Sequence, residues 1–250
     1  RASAPEIHTF FGLAQRHVSL FFPRIAPRAG FANPRREPVW MNVEAAQYFL
    51  DRVAAPYVGD FEDLRMPHTR LLVQILDDLN RAATTGFALE ELADRLMSAW
   101  HGAESRRHAY RAVQEIALAF RRFCLQHTLV DFSLGMELFR AHLLKAGFYR
   151  EYVAARYRHV LADNVEEAAP VIHDFLCLLL ETSDSAMIVE DDPGGFSINL
   201  GAEPQSARAV REACDWVEYV TDPRLLTDAP DSPSRFGQML MQAIMEREGR

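Results

Sequence analysis

The stretch from 156 to 202 constrains this chain most. Two short extended runs, at 159–163 and 186–190, flank an apolar segment at 170–180 that opens with Pro170 and reads as a buried helix. The pattern is a strand, a helix and a strand, with acidic residues where each strand ends. In an open α/β sheet, ligands bind beyond the carboxyl ends of parallel strands. The spacing therefore predicts Asp163, Glu166, Glu167, Asp191 and Asp192 around one crevice, a setting for a hard cation such as Mg²⁺. A plainer reading of Asp163 and Glu166 is a cap-like pair at a strand-to-helix turn, with Pro170 opening the helix.

Composition narrows the function classes. With 250 residues, 49% of them hydrophobic, the chain is long enough for a sizeable core in one or two domains. A net charge of −8 excludes a uniformly basic nucleic-acid binder, so any DNA contact has to come from local arginine patches. Cys124, Cys177 and Cys214 are isolated in apolar, helical surroundings, which suggests neither a metal site nor a disulfide framework and points to a reducing cytoplasm. No apolar run is long enough to span a bilayer. Lys145 is the sole lysine and follows Leu144, so no GxxxxGK[ST] phosphate loop exists in the chain. Arg1 stands where a Met is expected, which suggests a piece of a longer protein.

Along the rest of the chain, 6–19 begins extended and turns helical, and the proline- and arginine-rich 22–39 reads as an irregular loop. Asn42 is an N-cap, and the helical period that follows turns Ala46, Phe49, Leu50 and Val53 inward. Helices are expected over 69–83, 88–101 and 104–126. The last of these is the most basic, with Arg106, Arg107, His108, Arg111, Arg121 and Arg122, and is either a phosphate-contacting face or a solvated one. Asp131 caps a helix over 134–146. Beyond 202 a helix at 205–213, a β-like run at 216–220 and an amphipathic helix at 236–246 are expected.

These segments resemble, in order, the motifs of UvrD/Rep-like superfamily 1 DNA helicases. Leu161-Ala162-Asp163-Asn164-Val165-Glu166-Glu167 is similar to the family's LVDEFQD. Glu190 through Gly195, continued to Gly201-Ala202, is similar to VGDxxQSIYxFRGA. Thr9, Phe10, Gly12 and Ala14 follow the outline of TFHSxA, which lies near single-stranded DNA in the family, and Leu129 to Ser133 resembles LDFxDLL. The resemblance implies that Asp163 holds Mg²⁺ on ATP. It places Asn164 where the family has the water-activating Glu, and Gly194 where a Gln senses the γ-phosphate. Neither can do that chemistry, since a carboxamide takes no proton at neutral pH and glycine has no side chain. Glu166, two residues on, is a substitute base on an extended exit. Arg224 is the positional candidate for the family's γ-phosphate arginine.

The fold expected from this is α/β: a partial, mainly parallel sheet of a P-loop helicase-like motor domain, with strands near Ile7, Val160, Ile188 and Val217 and a large all-α insertion. Residues 1–41 and 157–250 would form the motor-domain part and 42–156 the insertion. The function implied is that of a fragment of an ATP-dependent DNA helicase, inactive alone. Catalytic positions would be Asp163, Asn164 and Glu166, with Asp163 also the metal ligand. Single-stranded or duplex DNA would meet Thr9, Phe10, Arg106, Arg107 and Arg111, and the remainder of the parent helicase would be a partner. ATP and Mg²⁺ are the cofactors implied for the parent. The competing reading is a degenerate helicase-like scaffold that binds DNA or a repair partner without ATP turnover.

Overall fold

The computed structural model describes residues 5–64, 66–102, 105–191, 194–195 and 201–219. Helix accounts for 68% of them and strand for only 6%, which overturns the expected sheet-centred motor domain with an inserted helical part. The strand-helix-strand unit itself forms. Strand β3 (His159–Ala162) and strand β4 (Ser185–Ile188) pair in parallel, Val160 opposite Ala186 and Leu161 opposite Met187, joined through helix α8 (Pro170–Thr182).

The sheet stops at those two strands. Ile7 is 92% exposed in irregular chain, and its neighbour Glu6 turns its carboxylate to Arg16 and Arg156. Residues 216–219 carry no strand, and Val220 lies outside the described residues. A second two-stranded parallel pair appears elsewhere, between β1 (Val39–Trp40) and β2 (Leu129–Val130). With two residues a side, neither run has the length from which periodicity identifies a strand.

The first helix, α1 (Phe10–Ala29), runs through Pro23 and Pro27, where a loop was expected. Each proline removes one backbone donor and costs an interior helix about 3 kcal/mol. Burial on one face offsets this: Val18, Phe22, Ile25 and Ala26 are all at most 2% exposed. Thr9 starts the helix, its Oγ1 accepting from Gly12 N at 3.2 Å.

Downstream the helical expectations hold. Asn42 caps α2 (Val43–Ala54), its Oδ1 accepting from Ala45 N at 2.9 Å, with Ala46 and Leu50 buried. Then follow α3 (His68–Thr85), α4 (Leu92–Ala99) and α5 (Ser105–His127). Asp131 caps α6 (Phe132–Leu138), which continues as a π-helical turn over Phe139–Leu143 before α7 (Gly147–Arg156). The last described helix is α9 (Pro204–Glu212). No helix among the described residues is long and apolar enough to cross a membrane.

Residues 1–214 form one compact unit, and 215–250 a second, of which only 215–219 are described. Within the first unit the helices of the expected insertion are not set apart: α3 packs on both α6 and α8, and α1 packs on α6 and the π turn. Tyr149, Phe22, Phe120, Phe139 and Phe175 are the largest fully buried side chains. The rings of Phe139, Tyr149 and Phe175 meet edge to face with centroids 5.4–5.8 Å apart, a favoured aromatic geometry.

Candidate functional site

The carboxyl ends of β3 and β4 lie side by side, as the parallel register requires. Val189 N donates to Ala162 O at 2.8 Å, and Val165 N donates to Val189 O at 3.3 Å. The described acidic residues there are held differently from one another. Asp163 is exposed, and its Oδ1 accepts from the amide of Asn164 at 2.9 Å. Asn164 turns the chain out of the strand with φ 55, the left-handed region in which Asn is among the few tolerated residues. Its side chain is exposed and caps nothing.

Glu166 points inward instead. It is 7% exposed, and its Oε2 accepts from Asp191 N at 3.1 Å, while Glu167 Oε1 accepts from Gly195 N at 3.1 Å. The two neighbouring carboxylates thus clamp the backbone of the loop that leaves β4. That grip explains the glycines where the resembled motif has other residues. A Cβ at Gly194 would stand 2.4 Å from Glu166 Cγ and 2.5 Å from Asp191 O, and one at Gly195 would stand 2.2 Å from Pro204 Cγ. Gly195 also has φ 80. The Glu166 side chain and Asp191 carbonyl at 194, and the Pro204 ring with the positive φ at 195, favour glycine at both positions.

The same junction is fixed from below. His173 on α8 is 2% exposed, with Nε2 2.9 Å from Val165 O and Nδ1 2.5 Å from Ser206 Oγ on α9. Glu190, at the end of the second run, forms an ion pair with Arg211 on α9. Asp192, Pro193 and Arg224 lie outside the described residues, as does the helix expected over 236–246.

Asp163 is therefore solvated where Glu166 is buried. Among the described residues no three His, Cys, Asp or Glu side chains are grouped to hold a metal ion. Of the groups that would meet Mg²⁺–ATP, Asp163 is a solvated carboxylate, and Lys145 lies on the segment between the π turn and α7.

Replacing Glu166 with Ala leaves the Asp191 amide without its acceptor. Asp191 itself is exposed, so the loss is that of one hydrogen bond, about 0.5–1.5 kcal/mol; Glu166→Ala lowers stability by that amount and speeds hydrogen exchange at Asp191. Glu166→Gln keeps a carbonyl acceptor and costs less than half as much; equal losses for the two variants would count against the clamp.

The residues expected near DNA are dispersed. Thr9 caps α1. Phe10 packs on the core, its ring 5.6 Å from Phe139 and 5.8 Å from Phe175. Arg106 lies over the Trp100 ring at 4.2 Å, a cation–π contact. Arg107 and Arg111 are exposed one turn apart on α5, with Arg122 exposed further along, and none has an ion-pair partner among the described residues. No family model and no curated protein matches the chain.

Arg121 is not part of that basic face. It is 7% exposed, with Nη1 3.4 Å from Asp131 Oδ1 and Nη2 3.1 Å from Ser133 Oγ and 3.0 Å from Glu137 Oε2. Its position was legible: 121 falls four residues after Ala117 and three before Cys124, inside the apolar stripe of α5.

Proposed function

We propose that this chain is a cytoplasmic DNA-binding scaffold of UvrD/Rep-like ancestry that does not turn over ATP. One observation carries the reading: Glu166, the substitute base that the sequence suggests, is buried and committed to the Asp191 amide. Asn164 occupies a left-handed turn that disfavours a glutamate, so the altered residue suits the local backbone. Arg107, Arg111 and Arg122 of α5, which have no ion-pair partner among the described residues, supply the phosphate-contacting face, which binds single-stranded DNA without reading its sequence. A second reading, a segment of a working ATP-dependent helicase completed by the rest of a parent protein, draws on the side-by-side strand ends and on Asp163 as the Mg²⁺ ligand.

Mg²⁺-dependent ATP hydrolysis with single-stranded DNA, assayed in the parent protein that carries this chain, separates the two. On the scaffold reading the parent and its Asn164→Glu variant both show no DNA-stimulated turnover, and the variant loses about 1 kcal/mol of stability to the strained backbone. Oligonucleotide binding, followed by fluorescence anisotropy, weakens roughly tenfold or more in Arg107→Glu/Arg111→Glu and falls with added salt. Turnover that Asp163→Ala abolishes would establish the motor reading. Binding that ignores the arginine reversals would remove α5 from the interface.

A further inference from the structure

A cavity of about 370 Å³ opens between the C-terminal end of α3, the inner side of α5 and the π-helical turn, away from the strand ends. Its size is that of a small-molecule site. The space exists because its walls carry small residues, Ala82, Ala83, Ala88 and Ala141, beside the apolar bodies of Phe87 and Leu118. Three cations converge on it: Arg121, Arg140 and the chain's sole lysine, Lys145.

Each cation is held differently. Arg140 belongs to the π turn, an irregularity found mostly at functional positions. Its Nε donates to Asp174 Oδ2 at 3.3 Å, and its guanidinium lies where a side chain at residue 86 would stand, a Gly86 Cβ falling 0.5 Å from Nη1. Gly86 itself ends α3 with φ 85, so the cavity wall depends on a glycine twice over. Arg121 is buried, and its Nε has no acceptor although both Nη atoms are engaged. Lys145 is exposed, with no ion-pair partner among the described residues.

Two carboxylates limit the charge the cavity accepts. Glu137 is bound to Arg121, and Glu90 stands exposed at the rim. Asp131 and Asp174 further offset the two arginines from outside. Three cations thus stand against four carboxylates, so a polyanion is repelled, whereas a single anionic group is held by local donors, Lys145 and the Nη atoms of Arg140, beside an apolar wall.

We propose that this cavity binds a small organic carboxylate with an apolar body, its head met by Lys145 and Arg140 and its body laid over Phe87, Leu118 and the alanines. The inference does not depend on DNA binding or on the fate of the ATPase.

Octanoate is the probe, with octylamine and acetate as comparisons, by titration calorimetry on the full chain. Octanoate binds; octylamine lacks the anion and acetate lacks the apolar body, so both fail. Lys145→Glu, at an exposed position that leaves the fold intact, weakens octanoate roughly tenfold or more. Ala141→Phe blocks the space while keeping every charge, and it abolishes binding. Arg36→Glu, an exposed charge reversal away from the cavity lining, leaves octanoate affinity unchanged. Absence of octanoate binding, equal binding of octylamine, or wild-type affinity in both Lys145→Glu and Ala141→Phe would overturn the proposal.

Discussion

Asp131→Ala lowers the unfolding free energy by about 3–4 kcal/mol, the largest loss expected from a single side chain outside the apolar core. Two losses coincide. The carboxylate caps α6, Oδ1 accepting from Leu134 N at 3.1 Å and Oδ2 from Ser133 N at 3.3 Å. It also faces the buried guanidinium of Arg121 and accepts from Ser133 Oγ at 2.6 Å. Removing it leaves a positive charge almost out of water, with only Glu137 and a serine hydroxyl to answer it. An uncompensated buried charge is what makes breaking such a pair so costly, even where the intact pair adds little net stability.

Asp131→Asn separates the two contributions, because the amide oxygen still caps the helix while the charge is gone. It loses about half as much as Asp131→Ala. Arg121→Met in the Asp131→Ala background removes the orphaned charge, and the double variant is more stable than the sum of its singles implies. Denaturant titration of five proteins, the wild type, Asp131→Ala, Asp131→Asn, Arg121→Met and the double variant, is the check. A loss under about 1 kcal/mol for Asp131→Ala, or additive singles, would show that the guanidinium reaches water when its partner is removed.

Asp131 also marks how far the sequence could be read. Its capping role was legible because Asp before an apolar helix has a local cause. Its partner lies ten residues back, on the inner face of α5, and basic residues counted along a helix do not reveal which of them turns inward until the apolar stripe is followed through Ala117 and Cys124. The helices α2 to α5 were legible for the same local reason, a strong 3.6-residue pattern. The unit of β3, α8 and β4 was legible because its two runs and the helix between them are each continuous.

What failed depended on partners far along the chain. Sheet growth needed Ile7 and Val217 to find neighbours; Ile7, alone between Glu6 and His8, does not specify a strand, and 216–219 carries none. The loop expected through Pro23 and Pro27 yielded to the burial of Phe22 and Ile25, a tertiary gain that local propensity cannot register. At the candidate site, Glu166 and Gly194 looked like separate departures from a motif. They are two halves of one contact, since the carboxylate's approach to the Asp191 backbone is what leaves no room for a side chain at 194.

Acidification costs this protein stability through His17. The ring is wholly buried on α1, with Nδ1 2.6 Å from the Tyr149 hydroxyl and Nε2 2.9 Å from that of Tyr157. Burial pushes its pKa down to about 4, and the nearby positive charges of Arg16, His8 and Arg156 add to the effect. Between that value and the ordinary 6.5, the unfolded chain binds a proton that the folded chain refuses. Stability is therefore full above pH 6.5 and falls as pH drops toward 4, by about 3 kcal/mol in all. The hydrogen bonds give the cause. A neutral imidazole donates through one nitrogen and accepts through the other, so it satisfies both tyrosines, whereas an imidazolium donates twice and leaves one hydroxyl hydrogen without an acceptor. His17→Gln keeps one donor and one acceptor but does not titrate. Urea unfolding at several pH values between 7.5 and 4 then shows a shallower slope for the variant, because the carboxylates common to both proteins cancel in the difference. Equal slopes would mean that His17 takes up its proton without leaving the core, and the tyrosines would have to be finding other acceptors.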